Sequence, residues 1–218
     1  MDVLLYCIAT SPIMSSDGLS YLSFDDWSGL NGSINPNVLT MLAEKSSKLD
    51  RFDVYGQTEL SADEQKQILD FSVTLANTSE ALEIIGIFEI SPLSSEQTSA
   101  MFTAWGSTSS LTVFNGIVLD NADFTEDSTC EVVANFINDA TNLSWMESYY
   151  QNSERPITIV MTPASAEGES DGTIIVRDCT DGGQPIYTMS TSRTDSFDFW
   201  TNSCSNEAPT RQRNQLKK

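Results

Sequence analysis

Leu82-Glu83-Ile84-Ile85-Gly86-Ile87 decides how this chain reads. Apolar side chains stand at its first, fourth and sixth places. The same spacing occurs in Leu49-Asp50-Arg51-Phe52-Asp53-Val54 and in Leu19-Ser20-Tyr21-Leu22-Ser23-Phe24. It returns in weaker form at Leu111 with Phe114 and Gly116, and at Leu143 with Met146 and Ser148. Successive starts lie 30, 33, 29 and 32 residues apart. The fourth and sixth places share one face of an extended chain, because side chains alternate along a strand. The pattern therefore predicts strands near 19–24, 49–54, 82–87, 111–116 and 143–148. Leu49, Leu82, Leu111 and Leu143 are expected to stack in a buried column.

A second signal keeps step with the first. Each strand is followed by an apolar residue and then by a helix-capping type: Ile34-Asn35, Leu60-Ser61, Leu93-Ser94 and Phe124-Thr125. Ser61 precedes Glu64 and Ser94 precedes Gln97 at the capping-box spacing, in which side chain and backbone satisfy each other's orphan groups. Pro36 fits the first helical position, where its missing N–H loses no bond. Helical spacing follows each cap: Val38, Leu39 and Leu42; Ile68, Phe71, Ser72 and Leu75; Thr98, Met101, Phe102 and Trp105; Val133, Phe136, Ile137 and Ala140. Helices are predicted near 36–46, 62–76, 95–105 and 126–140. Neither a lone strand nor a lone helix buries its apolar side here, so the units must stack.

From Leu19 to Tyr150 this pattern resembles the long, helix-containing leucine-rich repeats of the ribonuclease-inhibitor type. The resemblance implies an α/β fold: a short solenoid with a parallel curved sheet inside and helices outside. The alternative is an ordinary α/β domain whose strand–helix units recur without being repeats. Beyond Pro156 the helical signal stops. Ile157 to Met161, Thr173 to Arg177, Ile186 to Ser190 and Phe197 to Trp200 read as short strands, a small β-rich cap for the open end of a solenoid. Residues 1–18 then form an N-terminal segment, 19–155 the solenoid, 156–203 the cap, and 204–218 a polar, basic-ended tail expected to be disordered. Ile174-Ile175-Val176-Arg177, Asp181-Gly182 and Phe197-Asp198-Phe199-Trp200 are also similar to the end of F-box-associated regions in nematode F-box proteins. That likeness implies substrate recognition for a ubiquitin ligase, although no F-box helical pattern stands near the N-terminus.

The formal net charge is -20 over 218 residues. No Lys or Arg occurs from Gln67 to Glu154, while Arg211, Arg213, Lys217 and Lys218 crowd the end. An acidic body repels phosphate backbones, so nucleic acid is not an expected partner. No apolar run approaches the roughly 20 residues of a membrane-spanning helix. Val3 to Ala9 is too short, and lacks a preceding basic residue, to read as a signal peptide. The expected setting is therefore cytoplasmic, with secretion as the alternative. Cys7, Cys130, Cys179 and Cys204 lack the spacing of a metal knuckle or redox motif. Their even count permits two disulfides if the chain is secreted; four buried free thiols are the expectation.

There is no histidine. That removes Ser-His-Asp and Cys-His nucleophile systems, and the commonest base at neutral pH. No glycine-rich phosphate loop is present. The acidic stretches 120–123 and 167–171 lack the order of a calcium loop. No catalytic residue, cofactor or metal ligand is assigned, and the chain is expected not to be an enzyme.

What remains is the sheet face away from the helices. The third place of each unit gives Tyr21, Arg51, Ile84, Val113 and Trp145. Two places beyond the fifth stand Asp25, Tyr55, Phe88, Ile117 and Tyr149. Clustered large aromatic residues dominate binding hot spots. Tyr21, Arg51, Tyr55, Ile84, Phe88, Val113, Ile117, Trp145, Glu147 and Tyr149 are the candidate partner-binding residues. Asp53, Glu89 and Glu147 would favour a protein partner with a basic surface. The expected function is that of an adaptor or binding module. The alternatives are the ubiquitin-ligase role, a structural subunit of a larger assembly, and a carboxylate-based hydrolase. The face is lost if the register is off or if the C-terminal strands fold back over it.

Overall fold

A computed structural model describes residues 7, 20–24, 36–45, 48–55, 62–78, 81–88, 93–107, 114–120, 122–152, 154–167, 170–180 and 182–204. Strand and helix alternate as the spacing predicts. The order is β1 (Tyr21–Phe24), α1 (Pro36–Lys45), β2 (Arg51–Tyr55), α2 (Ala62–Thr78), β3 (Ile84–Phe88), α3 (Ser95–Gly106), β4 (Gly116–Asp120), α4 (Asp127–Asp139) and β5 (Trp145–Tyr149). Four more strands follow: β6 (Ile157–Thr162), β7 (Gly172–Asp178), β8 (Pro185–Thr191) and β9 (Asp198–Trp200). The fold is α/β. One sheet is parallel, in the order β1-β2-β3-β4-β5-β9, and a second, antiparallel sheet has the order β6-β7-β8.

Parallel neighbours need a long crossover, which the helices supply from β1 to β5 and the antiparallel strands from β5 to β9. The strands add in sequence order, so right-handed crossovers put every helix on one face. The register shows which side chains face them. Leu22, Phe52, Ile85, Ile117, Met146 and Phe199 align across the sheet. Phe52, Val54, Ile85, Ile87, Ile117, Leu119 and Met146 are buried in one core with Leu42, Phe71, Leu75, Phe102, Trp105 and Phe136 from the helices. In its centre the rings of Phe102, Trp105, Phe114 and Phe136 lie 5.3 to 6.4 Å apart. The Trp105 indole N–H donates to Ser72 Oγ at 3.0 Å, which satisfies both buried groups.

The fourth unit departs from expectation. Its strand runs over Gly116–Asp120 instead of 111–116. Asn115 N donates to Glu83 O at 2.7 Å, and Ser144 N donates to Asn115 O at 2.9 Å. Asn115 therefore matches Glu83 and Ser144, and Phe114 takes the column place beside Leu82 and Leu143. Leu111 and Val113 lie outside the described residues. With Phe114 as first place the unit reads Phe114-x-x-Ile117-x-Leu119, a full match. Ile117 consequently faces the helices and is fully buried; its assignment to the open face was wrong.

Ser94 caps α3 with the reciprocal Gln97 box that the spacing predicts. For α4 the cap position falls on Glu126, not Thr125, and carries no side-chain cap bond. Thr125 lies one residue outside, and its N–H donates to Asp123 Oδ1 at 2.9 Å. The capping pairs at Asn35 and Ser61 lie outside the described residues.

The antiparallel strands pack on α4, and Ile157, Ile159, Ile174 and Val176 extend the same core. Arg193, buried in the loop after β8, locks the junction. Its Nη1 donates to the carbonyls of Ile137 and Ala140, and its Nη2 to that of Leu143 at 2.7 Å. These include orphan carbonyls at the α4 C-terminus, where a cation is also favoured by the helix dipole. Asp195 pairs with the other side of the guanidinium, and that bond holds its carboxyl below the ordinary aspartate range. Buried Gln151 fastens the start of the cap: its Nε2 donates to Ser148 O, Ile157 O and Thr201 Oγ1, and its Oε1 accepts from Ile157 N.

The expectation of four buried free thiols does not hold. Cys179 and Cys204 form a disulfide across 25 residues. Cys204, expected at the start of the tail, is thus tied to the end of β7; residues 205–218 lie outside the described part. Such bridges persist in oxidising compartments, which weighs against a cytoplasmic setting. Cys7 is an exposed thiol and Cys130 a buried one. Burial pushes the Cys130 thiol up to about 11, so it stays protonated and unreactive near neutrality. Alkylation of the native chain is expected to label Cys7 alone. Denaturant should add Cys130, and only a reductant should release Cys179 and Cys204. Peptide mapping checks this; label on Cys179 without reductant would contradict the pairing.

Candidate functional site

Strand alternation delivers Tyr21, Arg51, Ile84, Gly116 and Trp145 in one row on the sheet face away from the helices. The next row holds Ser23, Asp53, Gly86, Val118, Glu147 and Trp200. Beyond it, Tyr55 aligns with Phe88 and Asp120 with Tyr149. Nine of the ten candidate residues are thereby accounted for on or beside this face, or excluded from it. Tyr21, Arg51, Tyr55, Ile84, Trp145, Glu147 and Tyr149 stand there, and Phe88 has its backbone there, its side chain lying outside the described parts. Ile117 faces the core. The tenth, Val113, lies outside the described residues, and Gly116 holds the place assigned to it.

The face is not open from end to end, as expected from the alternation. Along it Asp53, Val118 and Asp120 are only 1%, 6% and 6% exposed, while Arg51, Ile84 and Trp145 are partly exposed. Exposure is greater at the two ends. Tyr21 is 48% exposed on β1, and Trp200 is 44% exposed on β9. Among the described residues the C-terminal meander packs against α4 and beside β9.

At the β1 end an arginine and a tyrosine converge on one oxygen of a carboxylate, whose Oδ1 is buried with no partner among the described residues. The Arg51 guanidinium lies 5.9 Å from the Tyr21 ring centre. Its Nε donates to Asp53 Oδ2 at 2.8 Å, and the Tyr21 hydroxyl donates to the same oxygen at 3.1 Å. Burial alone would lower the Arg51 pKa, but the Asp53 carboxylate outweighs it and raises the value above the ordinary one.

At the opposite end two indoles dominate. Trp145 and Trp200 stack with ring centres 6.3 Å apart and planes inclined by 16°, an offset arrangement favoured by the ring quadrupoles. Gly116 makes this possible. A Cβ built there would overlap the Trp145 indole, so the absent side chain is the seat on which that ring lies. Gly116→Ala is expected to displace the ring at a cost of roughly 1–3 kcal/mol. A changed tryptophan emission spectrum without loss of cooperative unfolding checks it. Glu147 stands between the two indoles in the register, two places beyond Trp145 and paired with Trp200. Among the described residues, no hydrogen bond or ion pair engages the Trp145 or Trp200 indole N–H or the Glu147 carboxylate. Tyr149 is half-buried beyond Glu147. Tyr150 follows, 66% exposed and held at φ 50. Its N–H donates to Asn202 Oδ1 at 3.1 Å, one of the contacts that fix this unusual backbone.

Sequence reasoning placed Trp145, Glu147 and Tyr149 on this face, where the register has them. It missed Trp200, whose strand was expected to belong to the cap, and Gly116, which read as a defect in the repeat. Elsewhere, Ser95, Glu96, Ser99, Glu126 and Thr129 line an open depression between the first turns of α3 and α4. Glu96 and Glu126 are exposed there. Among the described residues no helix is long and apolar enough to cross a membrane.

Fold and surface together define an α/β protein whose one-sided parallel sheet ends in an aromatic, acidic ledge. Comparison with protein-family models, with curated proteins and with solved structures returns no match.

Proposed function

We propose that this chain is a binding module of leucine-rich-repeat-like architecture, not an enzyme, and that it takes a protein partner on the β5–β9 end of its sheet face. The observation that carries this reading is the stacked Trp145–Trp200 pair beside Glu147 at the sheet edge, with Trp200 44% exposed and Trp145 partly exposed. Large rings at such a place remove much apolar area from water when covered. The sequential strand order and the column Leu49, Leu82, Phe114 and Leu143 support the repeat-like architecture.

The test is capture of partners from native extract on the wild-type chain and on Trp145→Ala/Tyr149→Ala, followed by titration of a partner so identified. The double variant is expected to lose on the order of 2 kcal/mol or more of affinity, with its unfolding midpoint nearly unchanged. Undiminished affinity, or loss of the fold, would remove these two residues from the site.

A further inference from the structure

The two ends of the second row carry the same chemistry with one part missing. At the β1 end Asp53 lies beside Tyr21, and Arg51 supplies a cation to both the ring and the carboxylate. At the β5–β9 end Glu147 occupies the row position of Asp53, with Trp145 and Trp200 as its rings. Among the described residues no cation is supplied here. β4, β5 and β9 together contain Asp120, Glu147 and Asp198 and no Lys or Arg. Arg155 and Arg193 are committed elsewhere, to Asp127 and Asp178 and to the α4 carbonyls.

The geometry points to an arginine of the partner as the missing part. Its guanidinium would lie against the Trp145–Trp200 ledge and pair with the Glu147 carboxylate, as Arg51 does with Tyr21 and Asp53 within the chain. Indole is the best side-chain face for a cation, and arginine the commoner cation on it. A planar guanidinium can stack on the ring while its N–H groups reach the carboxylate, which a lysine ammonium does less well. The chain's charge of -20 adds long-range attraction for a basic segment. This inference rests on the proposed binding module and names the chemistry of its partner.

The experiment uses the full chain with its indole nitrogens labelled. N-acetyl-arginine methylamide and triarginine are titrated while the indole N–H resonances are followed, assigned with Trp145→Phe and Trp200→Phe. Trp105 is the internal reference, because its N–H is buried against Ser72. Both arginine probes are expected to move the Trp145 and Trp200 signals saturably and to leave Trp105 in place. The neutral isostere N-acetyl-citrulline methylamide should bind about tenfold more weakly. Glu147→Gln should weaken the arginine probes severalfold, and added salt should weaken triarginine. Silent Trp145 and Trp200 signals, equal binding of citrulline, or unchanged affinity in Glu147→Gln would each overturn the inference. If that happens while partner capture still depends on Trp145 and Tyr149, only the cation is lost and the binding module stands. Saturable shifts caused by a neutral disaccharide and not by arginine would assign the ledge to carbohydrate instead.

Discussion

Arg193→Ala is expected to remove roughly 3–5 kcal/mol from the stability of the chain. The side chain is only 5% exposed and binds carbonyls from both the end of α4 and the approach to β5. Alanine would take these donors from the Ile137 and Leu143 carbonyls, leave Ala140 O only its bond from Leu143 N, and free the C-terminal strands from the helix they pack on. Arg193→Lys keeps the charge but cannot span the carbonyls that Nη1 and Nη2 reach separately, so most of the loss should remain. Asp195→Asn should cost far less, because that side chain is 47% exposed. Urea unfolding of the three variants checks the order Ala, Lys, Asn. Acid gives a further check. The folded Asp195 carboxyl titrates below its unfolded value because of Arg193. Its contribution is therefore complete above the unfolded value of about 3.9 and fades as pH falls through the folded one. The difference between wild type and Asp195→Asn should close in that acid window. An Arg193→Ala chain as stable as the wild type would mean that the cap docks without this clamp.

Phe114→Ala should be about as damaging, at roughly 3–5 kcal/mol. Its ring is fully buried, 6.4 Å from both Trp105 and Phe136. Removing it opens a cavity where strand, α3 and α4 meet. Phe114→Leu restores the residue type found at the equivalent places 49, 82 and 143, and should lose clearly less. Denaturant titration of both variants decides the matter. A mild alanine substitution would show that Phe114 does not hold the column place.

Phe114 also shows where the sequence was legible and where it was not. The strand–helix rhythm was plain, because apolar spacing and capping residues agreed in unit after unit. The fourth strand was misplaced because the pattern was anchored on leucine, and Leu111 was taken over Phe114. Any large apolar side chain serves a buried column, so residue type was the wrong key and burial the right one. A slip of three residues is odd, and an odd slip exchanges the two faces of a strand. That single error placed Ile117 on the open face and hid the role of Gly116. The trace that could have prevented it was present: Phe114, Ile117 and Leu119 satisfy all three apolar places. Trp145, Glu147 and Tyr149 were legible because Leu143 fixed their register directly.

Other parts were illegible for physical reasons. Arg193 sits in the polar stretch Thr191-Ser192-Arg193-Thr194-Asp195, which reads as a solvated turn. Its partners are backbone carbonyls some 50 to 56 positions away, and every residue offers such a carbonyl. The disulfide was hidden likewise, since spacing alone does not select one pair among four cysteines. Burial of Asp53, Val118 and Asp120 on the sheet face leaves no mark in the alternation that predicted an open surface. Trp200 was found as part of a strand, but a three-residue segment carries nothing that says which sheet it will join.

The route by which β9 arrives has a consequence for the chain while it is being made. β5 pairs with β9 on the side away from β4, yet the whole meander lies between them, and the Tyr150–Asn202 bond spans 52 positions. At about 5–20 residues per second of translation, the edge of β5 waits roughly 3–10 s for its neighbour. During that interval it presents unpaired backbone groups beside an indole, a ready template for another nascent chain. A message truncated before Asp198 would leave that edge open permanently.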